Sequence, residues 1–193
     1  MKLTYGWLPQ RPELPWDFSG ISISPDTRTR KEEYAFALQA VREVADRSLS
    51  ILDAAAGYKL GWHMLPYILA ADGHSIHAVD IDCRSLKMPP HELITRELVD
   101  ITNADTIADG SFDISLCISA MEHINLDERG RVYTELVRVT KRRVIFTADE
   151  AWWLAPDLLR IAEASNVHLD VVRVPMKGDH LQPKVMWGIL DLC

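Results

Sequence analysis

Residues 50–82 read SILDAAAGYKLGWHMLPYILAADGHSIHAVDID, and this stretch decides the fold. Two short apolar runs, 50–54 and 76–79, each end in an acidic residue, Asp53 in the first and Asp80 after the second. Between them lie a small-residue turn, Ala55-Ala56-Gly57, and a segment typical of a helix whose apolar face carries Leu60, Met64, Leu65, Ile68 and Leu69. This order predicts a strand–turn–helix–strand unit.

Such a unit places both acidic residues in one crevice. A parallel β–α–β unit crosses over right-handed, so the C-terminal ends of its two strands lie at the same edge of the sheet. Asp53 and Asp80 are therefore expected to face each other across that edge. A turn of small residues lets a ligand approach the backbone, and a carboxylate after the second strand can accept both hydroxyls of a ribose. The pattern predicts a nucleoside site.

The bulk composition predicts one soluble domain that spans residues 1–193. The chain has 193 residues, of which 48% are hydrophobic and 25% charged, as in ordinary globular proteins. Its net charge of -7 argues against nucleic acid as a partner. Three cysteines without a CxxC pair suggest free thiols, and no run is long or apolar enough for a membrane span or a signal peptide. A cytoplasmic location without a membrane partner is expected.

The run Ile51-Leu52-Asp53-Ala54-Ala55-Ala56-Gly57 resembles the first motif of the class I S-adenosylmethionine (SAM)-dependent methyltransferases, hydrophobic-hydrophobic-Asp-x-Gly-x-Gly-x-Gly. The chain departs from this pattern where Ala55 replaces the first glycine and Lys59 the third. A second stretch, Asp109-Gly110-Ser111-Phe112-Asp113, followed by Glu122-His123-Ile124, is similar to the turn, fourth strand and following loop of that family. In element order the resemblance covers roughly residues 28–192.

This resemblance implies the fold: a three-layer α/β sandwich whose seven-stranded sheet is mostly parallel, with an antiparallel last strand, preceded by an N-terminal arm and a helix. Apolar runs predict the strands at 50–54, 76–79, 93–98, 112–118, 143–147, 167–174 and 185–192. Helical spacing predicts helices at 26–47, after the first turn, at 125–140 with Asn125 as its cap, and at 156–165. The charged residues near the start of the first helix, Glu33 among them, are interpreted as its solvated face.

Residues 1–25 are predicted to form an extended arm, because four prolines lie there among four aromatic residues and proline at this density excludes a helix. Two interpretations stay open for it. The aromatic side chains could pack on the core as buried aromatics usually do, or the arm could be a lid over the crevice, as the segment before the first strand is in many small methyltransferases.

The resemblance also implies the site residues. Asp53, Ala55 and Gly57 would form the turn under the amino-acid end of SAM, Asp80 with the neighbouring Ile81 would bind the ribose, and Asp100 and Ile101 would bind adenine. Ser119 and Ala120 would form the wall beside the sulfonium. An alternative for Asp100 is the N-cap of a following helix, a common role of aspartate after a strand.

His123 is the candidate general base, since abstraction of a proton from an acceptor needs a group with a pKa near neutrality at the point of transfer. The alternative for His123 is a packing role, because a Glu-His pair occurs here in family members with different substrates. No metal site is predicted: His74 and His77 are three apart in a strand and face opposite sides.

The leading hypothesis is thus a SAM-dependent methyltransferase that acts on a small molecule, and the oligomeric state is left open. The alternative is a non-catalytic SAM- or S-adenosylhomocysteine (SAH)-binding protein of the same fold, suggested by the glycines missing at positions 55 and 59. A short-chain NAD-dependent reductase is disfavoured, because none of the five tyrosines has a lysine four residues later.

Overall fold

The computed structural model describes residues 1–7, 28–58, 63–149, 170–173 and 185–192. In chain order these contain β1 Lys2–Trp7, α1 Arg28–Arg42, β2 Ser50–Ala54, α2 Leu65–Ala71, β3 Ser75–Asp80, β4 Ile94–Leu98, β5 Phe112–Ile118, α3 Arg129–Val139, β6 Thr140–Asp149, β7 Asp170–Arg173 and β8 Val185–Asp191. Short 3₁₀ turns follow β3 at Cys83–Lys87 and β5 at Met121–His123. The predicted helix at 156–165 and residues 8–25 of the predicted arm lie outside the described residues, so the choice between lid and packing arm stays open.

The strands form one sheet in the order β4-β3-β2-β5-β6-β8-β1-β7. β2 pairs in parallel with β3 and β5, β3 with β4, and β5 with β6. β8 runs antiparallel to both β6 and β1, and β1 is parallel to β7. Every strand except β8 therefore points the same way, which confirms the predicted fold class.

The sheet has one strand more than the seven predicted, because the start of the N-terminal arm joins it. Lys2 lies opposite Asp191 of β8 and Asp170 of β7, so β1 separates two strands that would otherwise be neighbours. Since β1 is parallel to the central strands, its last residue, Trp7, lies at the edge of the sheet where those strands end. A strand of six residues whose partners lie at the far end of the chain leaves little local signal.

The core has two layers, one on each face of the sheet. Alternate residues of β2 supply both, since Ile51 packs with α1 and α2 whereas Leu52 packs with α3. β5 is buried along its whole length, as expected of a central parallel strand. The three layers are thus α1 with α2, the sheet, and α3. None of the helices in the described part of the chain is long and apolar enough to cross a membrane.

Two details of the helices differ from the sequence predictions. Glu33 does not belong to a solvated face of α1; it is 0% exposed and accepts hydrogen bonds from Ser119 and Thr147. Asn125 does not cap α3, because its side-chain amide donates to the Glu128 carboxylate at 2.7 Å and the helix begins only at Arg129. Glu33 is buried because Ser119 and Thr147, far away in the sequence, donate hydrogen bonds to it. Asn125 bonds to the Glu128 side chain instead of capping the helix.

We expect stability to fall in mild acid because of His74. Its Nδ1 accepts a hydrogen bond from the Leu49 amide at 3.2 Å, and its ring is buried. Burial lowers the pKa of His74 below 6.5; nearby Asp72 opposes this shift and Arg42 adds to it. Below pH 6.5 the unfolded chain binds a proton at His74 more readily than the native chain does. The contribution of His74 to the unfolding free energy is therefore fully present above pH 6.5, and it falls below this pH by at most about 1.4 kcal/mol per pH unit.

Urea denaturation of the wild type and of His74→Gln between pH 5 and 8 measures this effect. The difference in unfolding free energy should be constant above pH 7 and should shrink as the pH falls through 6.5. A difference that is independent of pH would show that His74 does not carry the acid sensitivity.

Candidate functional site

A crevice of about 660 Å³ opens where β2, β3, β4 and β5 end. Because these strands are parallel, their C-terminal ends meet at one edge, which is where open α/β sheets bind ligands. The crevice is lined by the first turn, the segments after β3 and β4, and the loop after β5: Ala55, Gly57, Tyr58, His63, Asp80, Ile81, Asp82, Arg84, Val99, Asp100, Ile101, Thr102, Ser119, Ala120, His123, Ile124, Asn125 and Glu128. Nine of the ten predicted site residues, all except Asp53, are among them.

Asp53 is the predicted residue that does not line the crevice. It is 4% exposed and belongs to the buried part of β2, directly before the turn. The two acidic residues of the β2–α2–β3 unit therefore have different surroundings, with Asp80 at the crevice and Asp53 beneath it.

The first turn keeps a left-handed backbone at two positions although one of its glycines is missing. Gly57 has φ +71°, and Ala55 has φ 57°, a region in which a side chain is strained. A β-carbon at Gly57 would lie 2.2 Å from the His63 ring, so position 57 also lacks room for a side chain. The replacement of the first motif glycine by Ala55 thus leaves the turn in place at a cost in backbone energy.

We expect Ala55→Gly to stabilise the protein. Glycine removes the left-handed strain of about 1–2 kcal/mol but adds unfolded-state entropy of about 0.5–1 kcal/mol, which leaves a net gain of about 0.5–1 kcal/mol. Urea denaturation measures the change. Ala71→Gly, at the exposed end of α2, is the matched control and should be destabilising. Equal losses in both variants would contradict the strain at Ala55.

The Asp80 carboxylate connects the two loops that border the crevice. Its Oδ2 accepts from the Gly57 amide at 2.8 Å, and its Oδ1 accepts from the Asp82 amide at 2.8 Å. These bonds fix the orientation of the carboxylate. Each carboxylate oxygen can accept more than one hydrogen bond, so Asp80 retains the capacity to bind hydroxyl groups of a ligand.

Apolar side chains border the crevice on the far side of Asp80. Ile81 is 75% exposed and Ile101 is buried, and both line the crevice. Asp100 also lines the crevice, and its Oδ1 accepts from the Thr102 amide at 2.9 Å and from the Thr102 hydroxyl at 2.8 Å. Residues 99–111 contain turns but no helix, so the alternative of Asp100 as a helix N-cap is wrong.

The fourth wall of the crevice follows β5. Ser119 has φ 46°, and its amide donates to Thr147 Oγ1 at 3.0 Å. The chain then forms the turn Met121–His123, in which the His123 amide donates to the Ala120 carbonyl at 3.0 Å. The His123 side chain is exposed and lines the crevice, so a bound molecule can reach it.

An arginine and a tyrosine ring lie together in the lining of the crevice. The sequence places Tyr58, like His63, beside the first turn as a further candidate for lining the pocket, whereas it does not single out Arg84. The Arg84 guanidinium lies 3.7 Å from the centre of the Tyr58 ring, and its Nε donates to Asp82 Oδ1 at 2.9 Å. Hydrogen bonds from the Arg84 side chain and backbone lower the pKa of the Asp82 carboxyl to about 2. The available signal for Arg84 was its position four residues after Asp80, the last residue of β3.

The lining of the crevice is acidic. Among the described lining residues, Asp80, Asp82, Asp100 and Glu128 carry carboxylates, whereas Arg84 alone carries a permanent positive charge and is already bonded to Asp82. The exposed apolar surface of Ile81 and the carboxylate of Asp80 lie in the same cavity. This combination suits a ligand with an apolar ring, vicinal hydroxyls and a net positive charge.

A family model described as "Methyltransferase domain" matches residues 52–148. The match begins within β2 and ends within β6, so it contains all the segments that line the crevice. No curated protein matches this chain.

Solved structures are similar in fold. The 1,6-didemethyltoxoflavin-N1-methyltransferase of Burkholderia thailandensis, solved with 1,6-didemethyltoxoflavin and SAH bound, is 16% identical over 86% of this chain and 80% of its own, with a TM-score of 0.60. The magnesium protoporphyrin IX methyltransferase of Synechocystis PCC 6803, solved with SAM bound, is 16% identical over 85% and 81%, also with a TM-score of 0.60.

A methyltransferase assigned to an antibiotic biosynthesis pathway of Anabaena variabilis is 18% identical over 59% of this chain, with a TM-score of 0.51. This chain covers 45% of that protein, which is less than half of its length. At such identities the likenesses establish the fold.

Proposed function

This chain belongs to the methyltransferase-domain family, and we propose that it binds SAM in the crevice and transfers the methyl group to a small-molecule acceptor. The observation that carries the proposal is the position of Asp80, whose carboxylate is held by the Gly57 and Asp82 amides at the edge where the parallel strands end. The cavity of about 660 Å³ is within the range of small-molecule sites.

The crevice residues fit SAM. Asp80 would accept hydrogen bonds from the ribose hydroxyls, and the apolar faces of Ile81 and Ile101 would border the adenine, with Asp100 beside it. Ala55 and Gly57 form the left-handed turn that lines the crevice, and the amino-acid end of SAM would lie against the backbone of this turn. Asp53 would support this turn from beneath. The acidic lining favours a ligand that carries a sulfonium and an ammonium group.

SAM supplies a methyl group on a sulfonium whose thioether leaving group is already good. The protein therefore contributes chiefly alignment and exclusion of water. Ser119 and Ala120 would form the wall beside the transferred methyl group. His123, exposed at the same wall, would accept a proton from the acceptor at one of its imidazole nitrogens.

The small-molecule nature of the acceptor rests on two supports. The similar enzymes from Burkholderia and Synechocystis are named for small molecules, 1,6-didemethyltoxoflavin and magnesium protoporphyrin IX. In addition, the net charge of -7 and the acidic lining disfavour a polyanion such as nucleic acid.

The alternative of a non-catalytic binder was motivated by the altered glycine motif. Ala55 adopts the left-handed conformation that a glycine would adopt, so the change at position 55 does not favour this alternative. Position 59, where another glycine is missing, lies outside the described residues. A methyl-transfer assay with labelled SAM and a panel of small phenols, amines and carboxylic acids would separate the two functions.

Calorimetric titration with SAM, SAH and NAD tests the binding step. We expect micromolar, one-to-one binding of SAM and SAH and no heat with NAD. Absence of binding to either sulfur compound would refute the proposed function.

A further inference from the structure

A buried carboxyl group on α1 contacts the wall of the crevice from behind. Glu33 is 0% exposed and is not among the lining residues. Its Oε1 accepts a hydrogen bond from Thr147 Oγ1 at 2.6 Å and another from Ser119 Oγ. Burial of a carboxyl group is unfavourable unless hydrogen bonds compensate for the lost water, and these two hydroxyls provide them.

The same two residues are also bonded to each other. The Ser119 amide donates to Thr147 Oγ1 at 3.0 Å and to the Thr147 carbonyl at 3.2 Å. Glu33, Ser119 and Thr147 therefore form a closed network that joins α1 to the ends of β5 and β6. Ser119 has a left-handed φ of 46°, which is unfavourable for a residue with a side chain. The hydrogen bond from its hydroxyl to Glu33 therefore helps to hold Ser119 in this conformation.

The conformation of Ser119 sets the course of the chain along the crevice. The next residue, Ala120, lines the cavity, and the turn Met121–His123 follows immediately. A change in the backbone at Ser119 would therefore move Ala120 and His123 together.

We propose that Glu33 is a positioning residue for the crevice: through Ser119 it holds the wall formed by Ala120 and His123 in the conformation that binds the methyl donor. The inference rests on the proposed function, because the affinity for SAH serves as its main readout. Glu33 need not touch the ligand. Its effect passes through the hydrogen bond that it accepts from Ser119.

The test compares Glu33→Gln, which keeps an acceptor oxygen, with Glu33→Met, which has a similar size and no oxygen acceptor. Calorimetry with SAH should give a Kd within threefold of the wild type for Glu33→Gln and at least tenfold higher for Glu33→Met. Ser119→Ala should raise the Kd as much as Glu33→Met does. The double variant Glu33→Met/Ser119→Ala should bind SAH no more weakly than the weaker single variant, because both substitutions remove the same hydrogen bond.

Controls separate positioning from folding. Gln39→Met makes a similar change on the exposed face of α1 and should leave the Kd unchanged. A merely structural role for Glu33 would lower the melting temperature and the fraction of binding-competent protein without changing the Kd. A Kd for Ser119→Ala and for folded Glu33→Met within threefold of the wild type overturns the proposal; if Glu33→Met does not fold, Ser119→Ala decides.

Hydrogen exchange without ligand distinguishes failure of this inference from failure of the proposed function. The amides of Ser119 and His123 are hydrogen-bonded in the wild type and should exchange at least tenfold faster in Ser119→Ala. Equal exchange rates would overturn the inference, whether or not the wild type binds SAH. Faster exchange in Ser119→Ala, together with no SAH binding by the wild type, would support the network and refute only the assigned ligand.

Discussion

Asp80→Ala is expected to weaken SAH binding at least about a hundredfold. The variant removes the acceptor for the ribose hydroxyls and also the partner of the Gly57 and Asp82 amides. Hydrogen bonds to a charged group contribute about 1.5–3 kcal/mol each, so two of them exceed the roughly 2.8 kcal/mol that corresponds to a hundredfold change in Kd. Calorimetric titration of the wild type and of Asp80→Ala with SAH measures the change in Kd.

Two further variants make the Asp80 result interpretable. Asp80→Asn keeps one acceptor oxygen and should lose about tenfold. Asp72→Ala removes an exposed carboxylate that is paired with Arg42 far from the crevice, and should bind as the wild type does. Binding by folded Asp80→Ala within threefold of the wild type would exclude Asp80 as a ligand of the ribose.

Gly57→Ala is expected to abolish binding and to destabilise the fold. The added β-carbon would lie 2.2 Å from two atoms of the His63 ring, at a residue with φ +71°. Overpacking costs about 1–3 kcal/mol, and the left-handed backbone costs a net of about 0.5–1 kcal/mol after the lower unfolded-state entropy of alanine is subtracted, so we expect a loss of about 1.5–4 kcal/mol. Because both residues line the crevice, displacement of the ring would also change the shape of the cavity.

Gly73→Ala is the matched control for Gly57→Ala. Gly73 has φ +88°, but a β-carbon there would meet nothing within 4 Å. It should therefore lose only the net backbone contribution of about 0.5–1 kcal/mol, with SAH binding unchanged. The double variant Gly57→Ala/His63→Ala should recover the packing part of the loss. Equal destabilisation by Gly57→Ala and Gly73→Ala would show that contact with His63 is unimportant.

The sequence was sufficient for the features that depend on local pattern. The β2–α2–β3 unit and the position of Asp80 follow from hydrophobic periodicity and from the geometry of the crossover. The mostly parallel sheet with its antiparallel β8 was implied by the family resemblance. Nine predicted residues line the crevice because strand ends in such a sheet share one edge. What each of them binds there remains a prediction.

The features that sequence reasoning missed depend on distant partners. β1 joins the sheet only through β7 and β8, and Glu33 is buried only because Ser119 and Thr147 offer it hydroxyls. The left-handed conformation of Ala55 could not be predicted from the sequence either, because the surrounding turn imposes it against the preference of alanine. Arg84 lines the crevice because its loop returns towards Tyr58.

A crystal structure with SAH bound tests the central claim most directly. It should show the ribose hydroxyls within hydrogen-bond distance of the Asp80 carboxylate and the adenine between Ile81 and Ile101, with the thioether sulfur beside Ser119 and Ala120. An SAH molecule bound away from the edge where β2 and β3 end, or a crevice that stays empty at saturating SAH, would contradict it.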